Sequence, residues 1–401
     1  SVVLGAENDT GILGIGGSAS GGGTAGVGAS GDVDVLVKHT NAYIGKNAQV
    51  NAKKHIDISS TSKEDVFSIT AGAAGGGTAG IAGAASALVV VNNTLSYIDS
   101  YSDVEADGNI LLLAQDDTDS NLFVGSGAGG GTAGVGGSVA ANTIVNNTKA
   151  FIADGAHVVA KAKRDSSDVY DGDIDVPTLD LTVTLPDGNN FSFGIGELTD
   201  ATKKTKQFKG LNINAFATED LRNVVVGGSG GGTAGVAGTL SVNVVVNNTS
   251  AYIGKDAVIN DTSDAGADQL VEINAFDYTG VNGYGGVVTG GGTAGVGGST
   301  DTSAIFKNTS AWVDERSKVK ARKDIGIKAD SLERISSMTA GLSGAGTAGV
   351  SGAASFALIK SDTHAFTVST DNKDDLSLIH ISEPTRPLYN SYAVFCLKKK
   401  K

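Results

Sequence analysis

GGGTAGVGGS, Gly129–Ser138, returns as GGGTAGVGAS at Gly21–Ser30 and in related form at four further places in this chain. Its reading decides the fold, because a glycine-rich run is either a phosphate cradle or a building unit. A P-loop needs Gly-Lys-Ser/Thr opening a helix, so that the lysine can reach the phosphates. Here Thr-Ala-Gly follows the glycines, without a lysine and without a helix signal. A dinucleotide fingerprint needs a strand, a helix and a distal acid in one βαβ unit, and that context is missing too. Glycine and alanine lack bulk, so chain segments carrying them can approach closely or turn sharply. The run therefore reads as a small-residue strand segment of a repeat.

The threonine of each GTAG falls at Thr24, Thr78, Thr132, Thr233, Thr293 and Thr347, spaced 54, 54, 101, 60 and 54 residues apart. The period is 54, with about 47 extra residues in the third repeat and 6 in the fourth, and such periodicity is the signature of a repeat array. Nineteen residues after each threonine stands an aromatic: Tyr43, Tyr97, Phe151, Tyr252, Trp312 and Phe366. Big side chains at one repeat position predict a structural ladder, expected on the inner packing face. Alternating triplets such as Ile56/Ile58/Ser60 and Ile110/Leu112/Ala114 have the period of a strand with one face buried. Clusters such as DGAH, EADGN and QDDTDSN supply turns. Proline is confined to Pro177 and Pro186 before residue 376, as central strands require. No segment has the pattern of a capped amphipathic helix.

The expected fold is therefore all-β, a parallel β-helix or β-solenoid of six 54-residue repeats with one hairpin insertion. Each unit is expected to make two coils of about 27 residues or three of about 18, and at ~4.8 Å per coil the array would be a rod on the order of 60 to 90 Å long. The uncharged stretch Val66–Ile98 exceeds a membrane span in length, but its glycine, serine and asparagine content opposes a lipid-facing helix. Both faces of that strand are expected to be covered by protein. In the insertion, from about residue 165 to 210, Leu179, Leu181, Val183 and Leu185 alternate. The chain then crosses Pro186-Asp187-Gly188 and returns with Phe191, Phe193 and Ile195, the pattern of a β-hairpin projecting from the rod. Insertions into repeats map to one face, often the binding face, which makes this segment the best candidate for a specific contact.

Chemistry-bearing motifs are few. Asn92-Asn93-Thr94, Asn146-Asn147-Thr148 and Asn247-Asn248-Thr249 match glycosylation acceptors, but in register they read as stacked turns hydrogen-bonded from coil to coil. Asp116, Asp117 and Asp119, and Asp171, Asp173 and Asp175, are candidate Ca²⁺ ligands, although neither an EF-hand loop nor a calcium nonapeptide surrounds them, so solvated loops are expected. His39, His55, His157, His364 and His380 show no metal-ligand spacing. A β-helix enzyme would need paired carboxylates from neighbouring coils, and no recurring acid ladder is evident along the repeats. No catalytic residue, cofactor or metal is assigned.

The last 26 residues, Leu376–Lys401, share none of this pattern. They resemble the read-through translation of a sequencing-library adapter: its fixed codons spell Leu376–Arg386 in order, an index fits Pro387–Tyr389, and a poly-A run gives Lys398–Lys401. A segment of that kind lies outside the fold and is expected to be disordered. Residues 1–375 then carry 25 Lys and Arg against 42 Asp and Glu, a net charge of −17 that opposes nucleic-acid binding. The one cysteine, Cys396, lies in the tail, so the repeats have no disulfide or thiolate chemistry. The chain starts at Ser1 without an initiator Met and is expected to be a fragment at both ends, with any signal peptide or anchor outside it.

Units of the type GGGTAGVGGSVAANTIVNNTKAFIADGAHVVAKA resemble those of leukotoxin-type filamentous adhesins and, more loosely, haemagglutinin-like large exoproteins of Gram-negative bacteria. The resemblance covers residues 1–375. It rests on the glycine-alanine run, the Asn-Asn-Thr before an aromatic, and the Ile-x-Ile-x-Ala strand. It implies a β-helical stalk, extracellular or on the outer cell surface, adhering to a host or neighbouring cell through glycan or protein. No nucleic acid is implied, and a membrane only through parts outside this segment. Two other readings stay open: a β-helix enzyme acting on polysaccharide, and the passenger of a secreted, pore-forming cytotoxin.

Overall fold

The computed structural model describes residues 1–175, 178–184, 190–196, 202–368 and 390–398. Its first coil is β1 (Val2–Gly22), β2 (Ala25–Ile44) and β3 (Gln49–Ala52); the second is β4 (Ile56–Gly76), β5 (Ala79–Ile98) and β6 (Asp103–Ala106). The third, β7 (Ile110–Gly130), β8 (Ala133–Ile152) and β9 (His157–Ala160), leads into the insertion, which holds β10 (Ser167–Asp175), β11 (Thr178–Thr184), β12 (Asn190–Gly196) and β13 (Thr202–Phe208). The fourth coil is β14 (Gly210–Gly231), β15 (Ala234–Ile253) and β16 (Val258–Ile259), and the fifth is β17 (Leu270–Gly291), β18 (Ala294–Val313) and β19 (Lys318–Val319). The sixth contributes β20 (Asp324–Ala345) and β21 (Ala348–Thr367), and β22 (Asn390–Lys398) follows.

Strands stack coil on coil into three sheets. Sheet A runs β1-β4-β7-β14-β17-β20-β22, sheet B runs β2-β5-β8-β15-β18-β21, and sheet C joins the five short strands. Pairing between successive coils is parallel and in repeat register, with Val2 opposite Ile56 and Ala25 opposite Ala79. The expected β-solenoid of six repeats is therefore present, but each 54-residue unit is one coil, not two or three. Two strands of 20 to 22 residues consume most of each unit. Six rungs at ~4.8 Å stack to only ~24 Å, whereas one strand of this length spans ~65 Å. The solid is a broad blade, wider than it is tall, and not a rod.

The inward side chains of one coil explain the blade's section. Along β4 they are Ile56, Ile58, Ser60, Ser62, Glu64, Val66, Ser68, Thr70, Gly72, Ala74 and Gly76, and β5 returns with small residues first and Ile98 last. Bulky apolar residues fill the thick end, where sheet C closes a three-sided core around Ile56, Ile58, Ile98 and Val104. A second apolar layer around Val66, Leu88 and Val90 lies nearer the thin end, and between the two cores the interior is polar. At the thin end sheets A and B converge on glycine. A Cβ on Gly80 would lie 2.1 Å from the Gly129 carbonyl oxygen, and one on Gly76 would lie 1.9 Å from that of Ala79. The GGGTAG run is thus the blade's edge, where two backbones touch and the chain turns through Gly77 and Thr78. Threonine carbonyls tie the edge together, Thr24 O accepting from both Thr78 N (2.8 Å) and Ala79 N (3.0 Å), with the same pair repeated at Thr78, Thr132 and Thr233.

Four other expectations change. Val66–Ile98 has one buried face only; Phe67, Ile69 and Ile81 point outward and are exposed. DGAH and EADGN are corners, but QDDTDSN lies inside β7, and the Asn-Asn-Thr sites also lie within strands, not turns. The aromatic row lies on the outer face of sheet B, one residue off the inward parity kept by Ile44, Ile98 and Ile152. Within the tail expected to be disordered, β22 pairs antiparallel with β20 from Asp324 to Leu332, because the edge of a parallel stack offers unpaired backbone groups to any extended chain.

The expected hairpin is present, with Leu179 opposite Ile195, Leu181 opposite Phe193 and Val183 opposite Phe191; its turn at Pro186–Gly188, with Leu185, lies outside the described residues. The insertion does not simply project. Its outer pair, β10 with β13, lies on the outer face of sheet A, where Tyr170 packs with Phe216, Phe276, Tyr278 and Leu332. Asn109 anchors its root, its Nδ2 donating to Asp165 O (3.1 Å) and Ser167 Oγ (3.0 Å) and its Oδ1 accepting from Gly210 N (3.0 Å).

Candidate functional site

The densest chemistry is the polar layer inside the blade. One column of sheet A reads Thr10, Glu64, Thr118, Glu219, Thr279, Glu333, and its inward neighbour reads Asn8, Ser62, Asp116, Ala217, Asp277, Ser331. From the second coil to the sixth there is one acid per coil, Glu64, Asp116, Glu219, Asp277 and Glu333, alternating between the two columns. A recurring acid ladder therefore exists, contrary to the sequence expectation. The zigzag hides it from a search along any single position. It also keeps carboxylates of one column two rungs, ~10 Å, apart, which limits their mutual repulsion.

Sheet B faces this ladder with Lys38, Asn92, Asn146, Asn247 and Lys307. Glu64 accepts from Lys38 Nζ (2.5 Å), Ser62 Oγ (2.7 Å), Asn92 Nδ2 (2.6 Å) and Thr118 Oγ1 (2.9 Å). Asp277 accepts from Thr249 Oγ1 (2.7 Å) and pairs with Lys307 Nζ at 2.6 Å, both side chains wholly buried. Among the described residues no cation pairs with Asp116 or Glu219, which share Asn146 Nδ2, at 3.0 Å from each. Burial, reinforced by the charges of Glu64 and Glu219, raises Asp116 well above the usual carboxylate range. Burial and the Asp277 charge push Glu219 up to about 8, against the opposing pull of Lys307. The two cations thus balance Glu64 and Asp277, while burial favours the protonated form of Asp116 and Glu219. Glu64, Asp116, Glu219 and Asp277 are 0% exposed, so no polymer reaches them, and their arrangement serves the register of the coils.

The other sequence candidates disperse. Strand alternation puts Asp116 inside and Asp117 outside, where Asp117 pairs with Lys203 of the insertion at 2.6 Å. Asp171 and Asp173 lie on β10, the Asp173 amide donating to Asp171 Oδ1 (2.8 Å), and the side chain of Asp175 lies outside the described residues. Among the described residues no group of three His, Cys, Asp or Glu side chains is placed to hold a metal ion. The acceptor asparagines of the three glycosylation motifs, Asn92, Asn146 and Asn247, point inward and are buried. Their neighbours form an outer amide ladder, Asn248 donating to Asn147 (3.0 Å) and Asn147 to Asn93 (2.5 Å), which is the expected coil-to-coil bonding. His55 Nδ1 accepts from Asn109 N (3.1 Å), with burial lowering its pKa, and His157 Nδ1 lies 2.8 Å from Asp103.

The six aromatics form a continuous outer ladder. Ring centroids are 4.8 Å apart from Tyr43 through Tyr97 and Phe151 to Tyr252, 4.4 Å to Trp312 and 6.0 Å to Phe366, with planes within 8°. The four inner rings are covered on both faces and present their edges to solvent, while Tyr43 and Phe366, at the ends, are each stacked on one face only. At the thick end charged residues are tied between coils: Arg316 makes a bidentate pair with Asp256 (2.7 and 2.8 Å), and Lys161 meets Glu105 (2.5 Å) and Asp107 (3.2 Å). The six-residue expansion of the fourth repeat forms one wall of a cleft of 690 Å³ lined by Asn260, Asp261, Lys320 and Arg322. There Lys320 bonds Asp261 and Arg322 bonds the Ser263 carbonyl. A scan against protein-family models gives no match, nor does a search of curated proteins or of solved structures.

Proposed function

We propose that this chain is a non-catalytic structural and adhesive stalk segment of a large secreted or cell-surface filamentous adhesin of a Gram-negative bacterium. Its partner is a glycan or protein on a host or neighbouring cell. The observation that carries this reading is where the ionisable groups go: the interior acids stack coil on coil in a sealed layer, and the acids at the thick end pair with cations of adjacent coils. Such a chain invests its chemistry in holding long strands in register and leaves broad outer faces for contact. Repeat arrays bind through faces of this kind. Beads coated with the purified chain test it: saturable adherence to epithelial or bacterial cells, above albumin-coated beads, is expected. Failure to adhere, together with release of reducing ends from polysaccharides, would favour a β-helix enzyme; leakage from liposomes would favour a cytotoxin passenger.

A further inference from the structure

The outer face of sheet B has a second property, independent of the adhesion reading. From the register of Ala25 to that of Val37, each strand turns seven residues outward, and of the 42 on six strands Lys360 alone is charged. This is uncommon in a chain with a net charge of −13. The relief is regular. Val27, Ile81, Val135, Val236, Val296 and Val350 form one ridge, 64% exposed at Val27 and still 42% at Val135 in mid-stack. On one side of it runs a trench of alanines, Ala25 to Ala348, and on the other a trench of alanine and glycine, Ala29 to Gly352.

We propose that this face is a lateral interface that seats a second copy of the chain, sheet against sheet. Flat sheets pack face to face ~10 Å apart, and a ridge of β-branched residues beside small-residue trenches suits that spacing. Seven outward positions at ~6.7 Å and six rungs at ~4.8 Å give on the order of 1,000 Å² per copy, or ~2,000 Å² buried in a pair. That is the size of a stable protein interface, and exposed apolar patches of this extent mark interaction sites. Charge favours a second copy as the occupant: an acidic chain can meet itself only where no charge confronts its own image, and this face meets that condition. A bilayer fits poorly, because open sheet edges such as β2 and β21 do not occur in hydrocarbon, and Lys360 and Lys149 on this face fall short of the basic cluster that draws a surface to anionic lipid.

Sedimentation velocity on the full chain at about 1 to 100 μM, the weak end of the affinities that interfaces of this size reach, tests this. Expected is a concentration-dependent dimer, converted to monomer by Val135→Lys with Val236→Lys and weakened at least roughly tenfold by the milder Val135→Thr with Val236→Thr, each with an unchanged β-sheet circular dichroism spectrum. Val288→Lys, on the exposed outer face of sheet A, leaves the dimer intact. A chain monomeric at the highest concentration, a dimer indifferent to the folded Val135/Val236 variants, or flotation with neutral or anionic vesicles in place of dimerisation would overturn the proposal.

Discussion

Gly80 and Gly75 sit five residues apart on either side of the same corner and differ in what surrounds them. A Cβ at Gly80 would press into the Gly129 carbonyl at 2.1 Å, whereas one at Gly75 meets nothing within 4 Å. Backbone cannot rotate away, so Gly80→Ala is expected to cost about 1–3 kcal/mol in urea unfolding, and Gly75→Ala to stay within about 0.5 kcal/mol. Equal effects would mean that the sheets do not converge there. Lys307 gives a charged counterpart: Lys307→Met leaves Asp277 buried without its cation, with an expected loss of about 3–5 kcal/mol in urea unfolding. A loss within about 0.5 kcal/mol would mean that the pair does not hold the two sheets together. Recurrence of the glycine run was legible in the sequence, and so was its exclusion as a phosphate site. The taper was not, since the separation of two sheets is a property of residues such as Gly80 and Gly129, remote in sequence, facing each other across the blade.

At the scale of one element, the acid ladder makes a statement about pH. The folded-state pKa of Glu219 lies near 8 against an ordinary 4.5, and that of Asp116 is also raised, both through burial. The folded chain therefore holds protons that the unfolded chain has released. Stability is fullest below the unfolded value, falls as pH climbs from about 4.5, and levels off past about 8 for Glu219. Denaturant midpoints measured from pH 5 to 9 should decline, and Glu219→Gln should flatten the decline while keeping the amide within reach of Thr279. A midpoint rising over that range would contradict neutral buried acids. The ladder was hard to read because it zigzags and crosses the insertion, where residue numbers jump by 101 between Thr118 and Glu219. The aromatic row misled for a related reason. Sheet B carries apolar residues on both parities, Tyr97 outward and Ile98 inward, so alternation alone does not say which faces the core.

For the whole molecule, the repeat length was plain and the coil count was not. Strands in most proteins run ~3–10 residues, so a 54-residue unit was divided into two or three coils, with polar clusters such as QDDTDSN assigned to turns. Here the strands continue through them because the interior itself is polar and hydrogen-bonded at that level. The insertion could be located by the break in period, but the seating of β10 on sheet A depends on Tyr170 meeting Phe216 and Phe276, a contact no local pattern announces. One coil per repeat is the claim on which the blade, the ladders and the outer face all rest. His39 and Asn308 are exposed in the same outer column of sheet B, four rungs apart. Spin labels at His39→Cys and Asn308→Cys, in a chain with Cys396→Ser, measure that separation by electron double resonance. Stacking of single coils predicts a backbone separation of ~19 Å, while two coils per repeat would double it to ~38 Å and contradict the account.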